Sequence, residues 1–375
     1  MKRDIVAKRI KEARERCGMS QQQLADLMGW KSHSSIVAIE SGNQEVKTWE
    51  LLKFATILKV APQALYSEEA PLLTMPILWR NKAIDPDIAK SEEAAVIQHC
   101  EDYRLLRRLV IESLPLKSLP TQECDIESGI IDSSWANMLA QQVYREFNLG
   151  DYPAYLLAKR LEEDYGVLIM QMPLDNGSAA CCRADWGAAI VLNAKEVPWR
   201  QMFNLAHELF HLITWNVKLV EQISAHESLF KKNEKLADAF AAALLMPQQM
   251  VDIDIGGRKL SYSFVVALAR KYKVSTAAML WRLCYLRIIS RDSVEHTLAD
   301  EDFKHLDQIT FKQAMAEDQF DNRFLRLAYL AHEAGKLSKG RLAQMLNIKL
   351  RDVNQYLEER GLYLTNDKEI ENHSP

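Results

Sequence analysis

The first 66 residues carry apolar positions at the three- and four-residue spacing of short amphipathic helices. Each such helix has one apolar stripe that must pack against its neighbours. Glycines at 18, 29 and 42 separate the segments, and Ser20 followed by Gln23 predicts a capped helix start. The pattern predicts an all-α unit of short helices. Its apolar positions are Ile5, Ile10, Ala13, Leu24, Ala25, Met28, Ile36, Ile39, Leu51, Leu52, Ala55 and Leu58.

The pattern changes three times along the rest of the chain. After residue 69, spaced prolines predict an extended, partly helical linker. The middle mixes strand-like runs at 166–172 and 188–192 with helical segments near 200–214 and 232–246. Residues 303–375 have the pattern of charged helices. We therefore expect a multidomain protein with an all-α helix-turn-helix domain at 1–69, a linker at 70–135, an α+β domain at 136–295 and an all-α C-terminal domain at 296–375.

Composition and charge indicate a globular protein with one basic end. Hydrophobic residues occupy 48% of the 375 positions, which is enough for several cores. The net charge is −4, yet residues 1–66 carry 11 Lys and Arg against 7 Asp and Glu, as suits a nucleic-acid-binding module. The scattered cysteines include no CxxC pair, so no disulfide framework is expected. With no signal peptide and no apolar run of bilayer length, we expect a cytoplasmic protein without a membrane partner.

The strongest chemical signal is His-Glu-Leu-Phe-His at 207–211. Four residues apart on a helix, His207 and His211 project from one face and can share a metal ion. Glu208 lies beside them, within reach of a water on that metal. The alternative is a surface helix with two unrelated histidines. The flanking residues are apolar, however, and two unpaired histidines in a core would be costly.

Glu234 is the candidate third ligand. It follows His211 by 23 residues, and Asp238 lies four residues later on the same helix face. Asp238 would accept the free N–H of a ligand histidine and thereby fix its tautomer. A solvated acidic face is the alternative, but the strongly apolar run 239–247 follows at once. Two histidines, one glutamate and an open position are typical of catalytic zinc, so Zn²⁺ is the expected cofactor.

Two segments together resemble the ImmA/IrrE family of zinc metallopeptidases. They are Phe203-Asn-Leu-Ala-His-Glu-Leu-Phe-His211 and Glu234-Lys-Leu-Ala-Asp-Ala-Phe-Ala-Ala-Ala-Leu-Leu-Met-Pro247, and the strand Ile190–Asn193 and Arg200 also fit. The resemblance covers residues 150–290. It implies a zincin-like α+β domain, in which an HExxH helix accompanies a small sheet. Family members cleave or inactivate repressor proteins in stress, phage or mobile-element responses.

The resemblance also assigns roles to residues. It implies His207, His211 and Glu234 as zinc ligands and Glu208 as the catalytic acid. The chain departs from the family pattern at Phe210, where glycine is common, and at Asn204, where threonine is common. We expect the bulk of Phe210 to narrow the helix contact or the cleft. We also expect strand 188–193 to bind an extended substrate by adding it to the sheet.

Residues 5–66 resemble the XRE, or phage repressor-like, helix-turn-helix. The residues that carry the resemblance are Arg14, Gly18, Ser20, Gln21, Leu24, Ala25, Gly29, Ile36, Ile39, Glu40 and Gly42, with Leu51, Leu58 and Leu65 behind them. In that geometry a helix beginning near Ser32 enters the major groove of double-stranded operator DNA. The expected DNA contacts are Gln21, Lys31, His33, Ser34, Ser35, Ala38 and Lys47. Use of the motif only for dimerisation or protein binding is the alternative.

Two functions stay open on the sequence alone. The first is a DNA-binding transcriptional regulator whose zinc endopeptidase cleaves a repressor-type protein or the chain itself. The second is a non-catalytic repressor or antitoxin-like regulator that uses the peptidase fold as a sensor or holds a partner with it. The intact Glu208 favours the first, because a sensor does not need it. We expect a homodimer, and residues 325–362 form either a second helix-turn-helix-like unit or an oligomerisation or substrate-docking domain.

Overall fold

The computed structural model describes residues 3–17, 19–58, 60, 62–66, 77–80, 86–110, 115–127, 131–175, 177–184, 186–216, 219–220, 226–314 and 323–364. The chain forms two compact units, Met1–Met75 and Pro76–Pro375, and each is described by itself. None of the helices in the described segments is long and apolar enough to cross a membrane.

The first unit is a bundle of short helices, which confirms the prediction from the apolar spacing. Its helices are α1 (Arg3–Arg16), α2 (Gln21–Met28), α3 (Ser34–Glu40) and α4 (Thr48–Ile57). Ser20 caps α2 by accepting the N–H of Gln23, whose side chain bonds the N–H of Ser20 in return. Gly29 ends α2 at φ +76°, a conformation in which any side chain would be strained. The apolar stripes of these helices meet in one core.

A buried ion pair connects three of these helices. Arg14 on α1 donates through Nε to Glu40 on α3 at 2.6 Å, and it also donates to the carbonyl of Met19. Glu40 accepts a further bond from Nε2 of Gln21, at the start of α2, at 2.8 Å. Because both charged side chains are almost enclosed, each depends on its partners for compensation. The cluster therefore fixes α3, the predicted recognition helix, against α1 and α2.

The second unit contains a four-stranded mixed sheet. Its strands are β1 (Leu78–Trp79), β2 (Leu168–Met172), β3 (Ala179–Ala184) and β4 (Gly187–Asn193), in the order β1-β3-β4-β2. The runs predicted at 166–172 and 188–192 are β2 and β4, and they pair in parallel with Ile169 opposite Ile190. β3 is antiparallel to both β4 and β1. The prediction that strand 188–193 adds a substrate strand is wrong, because β4 is paired on both sides.

Helices surround this sheet and extend to the end of the described chain. They are α5 (Pro86–Leu109), α6 (Ser133–Glu146), α7 (Leu157–Glu163), α8 (Pro198–Ile213), α9 (Glu227–Leu245), α10 (Gln248–Ile255), α11 (Tyr262–Lys271), α12 (Thr276–Tyr285), α13 (Arg291–Ala299), α14 (Glu301–Ala314), α15 (Arg323–Glu333), α16 (Lys339–Met345) and α17 (Val353–Glu358). α8 lies on the sheet against β3 and β4, and α9 packs against both α8 and α6. The main core of the unit therefore surrounds α8.

The segment 70–135 was expected to be a linker, and its described parts are packed portions of the second unit. β1 pairs with the edge of β3. The extended residues 115–127 bury Leu119 and Ile126, and the N–H of Gln122 donates to the carbonyl of Ile213 at the end of α8. Pro71 and Pro76, on which the linker prediction partly depends, lie outside the described residues, and Pro86 begins α5. The packing depends on partners far along the chain, which local spacing does not reveal.

The segment 325–362 folds as α15, α16 and α17 with short connections, in the predicted rhythm. Much of its basic charge is bound within the chain. Arg341 forms an ion pair with Asp102 on α5 at 2.6 Å, and the Nζ of Lys336 donates to the carbonyl of Leu109. Lys339 also bonds Asn354. These contacts favour docking of the segment on α5 over the use of the same groups on DNA.

Candidate metal centre

The two histidines lie on α8, which is a core helix as its apolar flanks predict. Pro198 stands in the first turn, where a missing N–H costs nothing. Side chains from Asn204 to Ile213 are all buried. A buried helix keeps its side chains in single rotamers, so His207 and His211 are held one turn apart on the face toward α9.

Three side chains converge where α8 faces α9. The Nε2 atoms of His207 and His211 are 3.1 Å apart. The carboxylate of Glu234 on α9 approaches them, with one oxygen 3.3 Å from Nε2 of His207 and the other 3.2 Å from Nε2 of His211. One ligand atom from each residue lies within 4.8 Å of the others. The structure thus brings together the three residues that the sequence proposed as metal ligands.

Each histidine ring is oriented through its second nitrogen. Nδ1 of His207 lies 2.8 Å from Oδ1 of Asp238, one turn beyond Glu234 on α9. Nδ1 of His211 lies 3.2 Å from the side-chain amide of Asn233. The Oδ1 of Asn233 is buried and has no hydrogen-bond partner in the part of the chain that the structure describes, so turning the amide to place Oδ1 at this nitrogen supplies an acceptor. With Nδ1–H donated in both rings, both Nε2 lone pairs face Glu234. Sequence analysis identified Asp238 and missed Asn233, although it directly precedes Glu234.

The polar groups that point into the centre fit a cation. Two imidazole nitrogens and a carboxylate oxygen form the donor set that zinc prefers. Burial opposes protonation of His207, but its bonds to Asp238 and Glu234 outweigh burial and raise the pKa of His207. For Glu234, burial acts to raise the pKa, but hydrogen bonds from both histidines outweigh burial and lower the pKa of Glu234 to about 2. Positive charge at this point is therefore favoured, whether a proton or a metal ion supplies it.

Glu208 is enclosed beside the three converging side chains. The residue has no exposed surface, and neither carboxylate oxygen has a hydrogen-bond partner among the described residues. Burial raises the pKa of Glu208, and the neighbouring histidines offset part of this effect. The thiol of Cys181 on β3 is a polar neighbour, and its pKa is raised by burial first and by the charge of Glu208 second. A buried carboxyl without a partner needs a proton or a water molecule.

Arg80 and Asn204 extend the network beyond the histidines. Arg80 follows β1 and donates to Oδ1 of Asp238 at 3.0 Å and to Oδ1 of Asn204. The amide nitrogen of Asn204 donates to Glu196 at 2.6 Å. Asn204 thus joins an arginine to a glutamate, accepting through its amide oxygen and donating through its amide nitrogen. Sequence analysis missed Arg80 because it lies far from the motif along the chain.

The side chain of Phe210 lies among three helices, and its ring also meets the imidazole ring of His211 edge to face, 5.6 Å away between centroids. Its ring is fully buried, at 6.2 Å from Trp135 on α6 and 5.6 Å from Phe240 on α9, measured between ring centroids. It fills the contact among α6, α8 and α9. Phe210 thus lies in the helix contact and does not line the cavity beside the metal centre.

In the first unit, the predicted DNA contacts lie on and around α3. Lys31, His33, Ser34 and Lys47 are exposed, whereas Ser35 and Ala38 are half-buried. The helix begins at Ser34 rather than near Ser32, with His33 before it. Gln21 is half-buried and donates to Glu40, so its amide nitrogen is already engaged. Val37 is 41% exposed on the same helix and was not anticipated. An exposed valine there could contact a thymine methyl.

Comparison with known protein families supports the predicted peptidase domain and the predicted helix-turn-helix domain. The family model of the IrrE N-terminal-like domain, a peptidase family, matches residues 162–283 and so includes the converging histidines and Glu234. A helix-turn-helix family model matches residues 10–65. No curated protein matches the chain. The chain therefore joins an XRE-type helix-turn-helix domain to a peptidase domain of the ImmA/IrrE family.

Proposed function

We propose that this chain is a DNA-binding regulator that hydrolyses a peptide bond in a repressor-type regulatory protein. The observation that carries the proposal is the convergence of His207, His211 and Glu234 within 4.8 Å, beside the partnerless carboxyl of Glu208. Such a group of donors is costly to bury without a cation. The covalent link to a helix-turn-helix domain supports a substrate that acts in transcription.

His207, His211 and Glu234 would hold Zn²⁺, and Asp238 and Asn233 would keep both rings in the ligating tautomer. When bound, zinc supplies Lewis-acid activation of water and of the scissile carbonyl. Glu208 takes the proton of the attacking water and later delivers it to the leaving amine. Burial supports both roles, because it raises the pKa of Glu208 and so the affinity of its carboxylate for a proton.

Metal content tests the site directly. Elemental analysis of the full chain should give about one zinc per chain, and His207→Ala should lose it. His226→Ala is the matched control, because His226 is exposed just before α9 and stands outside the converging group. A folded wild-type chain that takes up no zinc, or a His207→Ala chain that keeps it, contradicts the proposed centre.

Glu208→Gln separates binding from catalysis. The variant should retain zinc, because Glu208 is not one of the three converging ligands. It should lose peptide hydrolysis by a factor of at least about 100, because an amide cannot accept the proton. Mass spectrometry of cleaved peptides measures the loss. Unchanged hydrolysis in this variant removes Glu208 from the mechanism.

A non-catalytic regulator is the second candidate, and one observation favours it. His207 and Glu208 have no exposed surface, so a substrate reaches them only after the site opens. A sensor that binds zinc or a partner without turnover would share this enclosure. Zinc-loaded wild type that binds peptides and cleaves none of them would support the second candidate.

A further inference from the structure

A cavity of about 510 Å³ adjoins the metal centre. It lies between the start of α8, the middle of α9 and the helix α12. Asp238, which bonds His207, forms part of its wall, as does Asn204, one turn before His207 on α8. Aromatic side chains supply much of the remaining wall, namely Trp199, Phe203, Trp281 and Tyr285. The cavity is large enough to admit a substrate side chain with part of its backbone.

The charges that line this cavity do not balance. Three arginines line it, Arg80, Arg200 and Arg282, against one carboxylate, that of Asp238. Arg80 is paired with Asp238 at 3.0 Å, and Arg200 is paired with Glu196 at 3.0 Å. Among the described residues, no carboxylate lies within ion-pair distance of Arg282. One guanidinium in the wall therefore has no ion-pair partner among the described residues.

Arg282 is also nearly enclosed, with 4% of its surface exposed. Its Nε donates to the carbonyl of Met246 and its NH1 to Oδ1 of Asn137, and its guanidinium lies 5.5 Å from the centroid of the Tyr285 ring, so these partners are all neutral. Burial lowers the pKa of Arg282 to about 10, with Tyr285 and Asp252 opposing the shift. A buried cation without a carboxylate is costly, and an anion that enters beside it removes that cost.

We propose that this cavity, the Arg282 pocket, binds an acidic side chain, Glu or Asp, of the peptide substrate. The inference rests on the proposed peptidase function, since Asp238, which bonds the proposed zinc ligand His207, forms part of the cavity wall. A carboxylate on a short apolar stem matches a guanidinium set among aromatic walls. Because the pocket wall includes Asp238, which bonds His207, a side chain held in the pocket belongs to the same substrate as the scissile bond and selects among substrates. An aromatic side chain without charge would leave Arg282 uncompensated.

A binding experiment tests the pocket without requiring turnover. Two fluorescein-labelled alanine octapeptides, identical except for a central Glu or Gln, are titrated against the zinc-loaded full chain carrying Glu208→Gln. Anisotropy should show that the Glu peptide binds at least about tenfold more tightly. Adding Arg282→Gln should reduce the preference to about twofold or less, while Arg282→Lys, which keeps the charge and loses the planar fork, should give a preference between these two values. Equal binding of the two peptides to the parent chain overturns the inference.

Arg291→Gln is the matched control. It also removes one arginine from the second unit, and Arg291 lies over the ring of Trp281, yet Arg291 is not in the cavity wall. The preference for Glu should persist in this variant. Because Arg282 also bonds the end of α9, the folding of its variants is checked by circular dichroism. If Arg282→Gln does not fold, the inference is tested by the binding of the Glu and Gln peptides to the parent chain and to Arg282→Lys.

Cleavage sites distinguish this inference from the proposed function. The zinc-loaded wild-type chain is incubated with a tryptic digest of a bacterial lysate, and new termini are mapped by mass spectrometry. Glu and Asp should be enriched at one position near the cut. Cleavage without that enrichment overturns the Arg282 pocket and leaves the peptidase standing. Selective binding of the Glu peptide without any cleavage overturns the peptidase and leaves the pocket standing.

Discussion

At the scale of single residues, the proposed centre depends on which atom of each side chain is free. Both histidines could ligate through either nitrogen, but Asp238 and Asn233 occupy the Nδ1 side of the two rings. The Nε2 atoms are therefore the ones that meet Glu234. Orienting partners of this kind set the tautomer and the basicity of the ligands.

Removing either orienting partner should weaken zinc binding without abolishing it. Asp238→Asn and Asn233→Ala should each lower zinc affinity by about 10- to 100-fold, the range found for such partners. Competition with a chromophoric chelator measures the change. Lys235→Ala is the control, because Lys235 is exposed on the same helix. Zinc affinity equal to wild type in both variants would show that the rings need no orientation.

The sequence predicts these residues unevenly. His207, Glu208, His211, Glu234 and Asp238 are accessible to prediction because spacing of three or four along a helix is also closeness in space. Arg80 contacts Asp238 and Asn204 from a segment that precedes α5, and no local spacing encodes that contact. Likewise, the lack of a carboxylate partner for Arg282 among the described residues can be recognised only from the three-dimensional positions of its neighbours.

At the scale of elements, long periodic helices and buried runs were predictable, and short strands were not. α8 and α9 follow from sustained apolar spacing, and β2 and β4 from apolar runs. β1 is only Leu78–Trp79, too short to carry a period. β3 is buried on both faces, as its two adjacent buried cysteines show. A strand that is buried on both faces has no alternation of polar and apolar residues, so its sequence does not show the period of a strand.

Phe210 shows how one departure from the family pattern is accommodated by an element. α6, α8 and α9 meet around its ring, so Phe210→Ala should leave a cavity and lower the free energy of unfolding by about 3–5 kcal/mol. Urea denaturation followed by circular dichroism measures the loss. Tyr155→Ala is the control, since Tyr155 is 56% exposed. A decrease in the free energy of unfolding of less than about 1 kcal/mol would mean that the helices move together and fill the cavity.

At the scale of the molecule, the chain combines a basic helical unit with an acidic body. In the first unit Lys31, His33, Ser34 and Lys47 are exposed, and α3 is the helix expected to enter the major groove. The second unit has its own basic segment at α15–α17, but Arg341 and Lys336 are bound to α5. Affinity for DNA should therefore belong to the first unit.

Truncation separates the two units. Residues 76–375 should retain zinc and lose binding to a 30-base-pair duplex, because the exposed cations around α3 are gone. In the full chain, binding should weaken as salt rises, and Lys31→Gln and Lys47→Gln should each reduce the slope of log affinity against log salt by about one. Anisotropy of labelled duplex measures both effects, and Lys304→Gln, on α14 beside Glu301, is the control. Duplex binding that survives truncation would assign DNA recognition to the second unit. The helix-turn-helix would then serve to bind another protein, because phosphate contacts are what position a recognition helix in the groove.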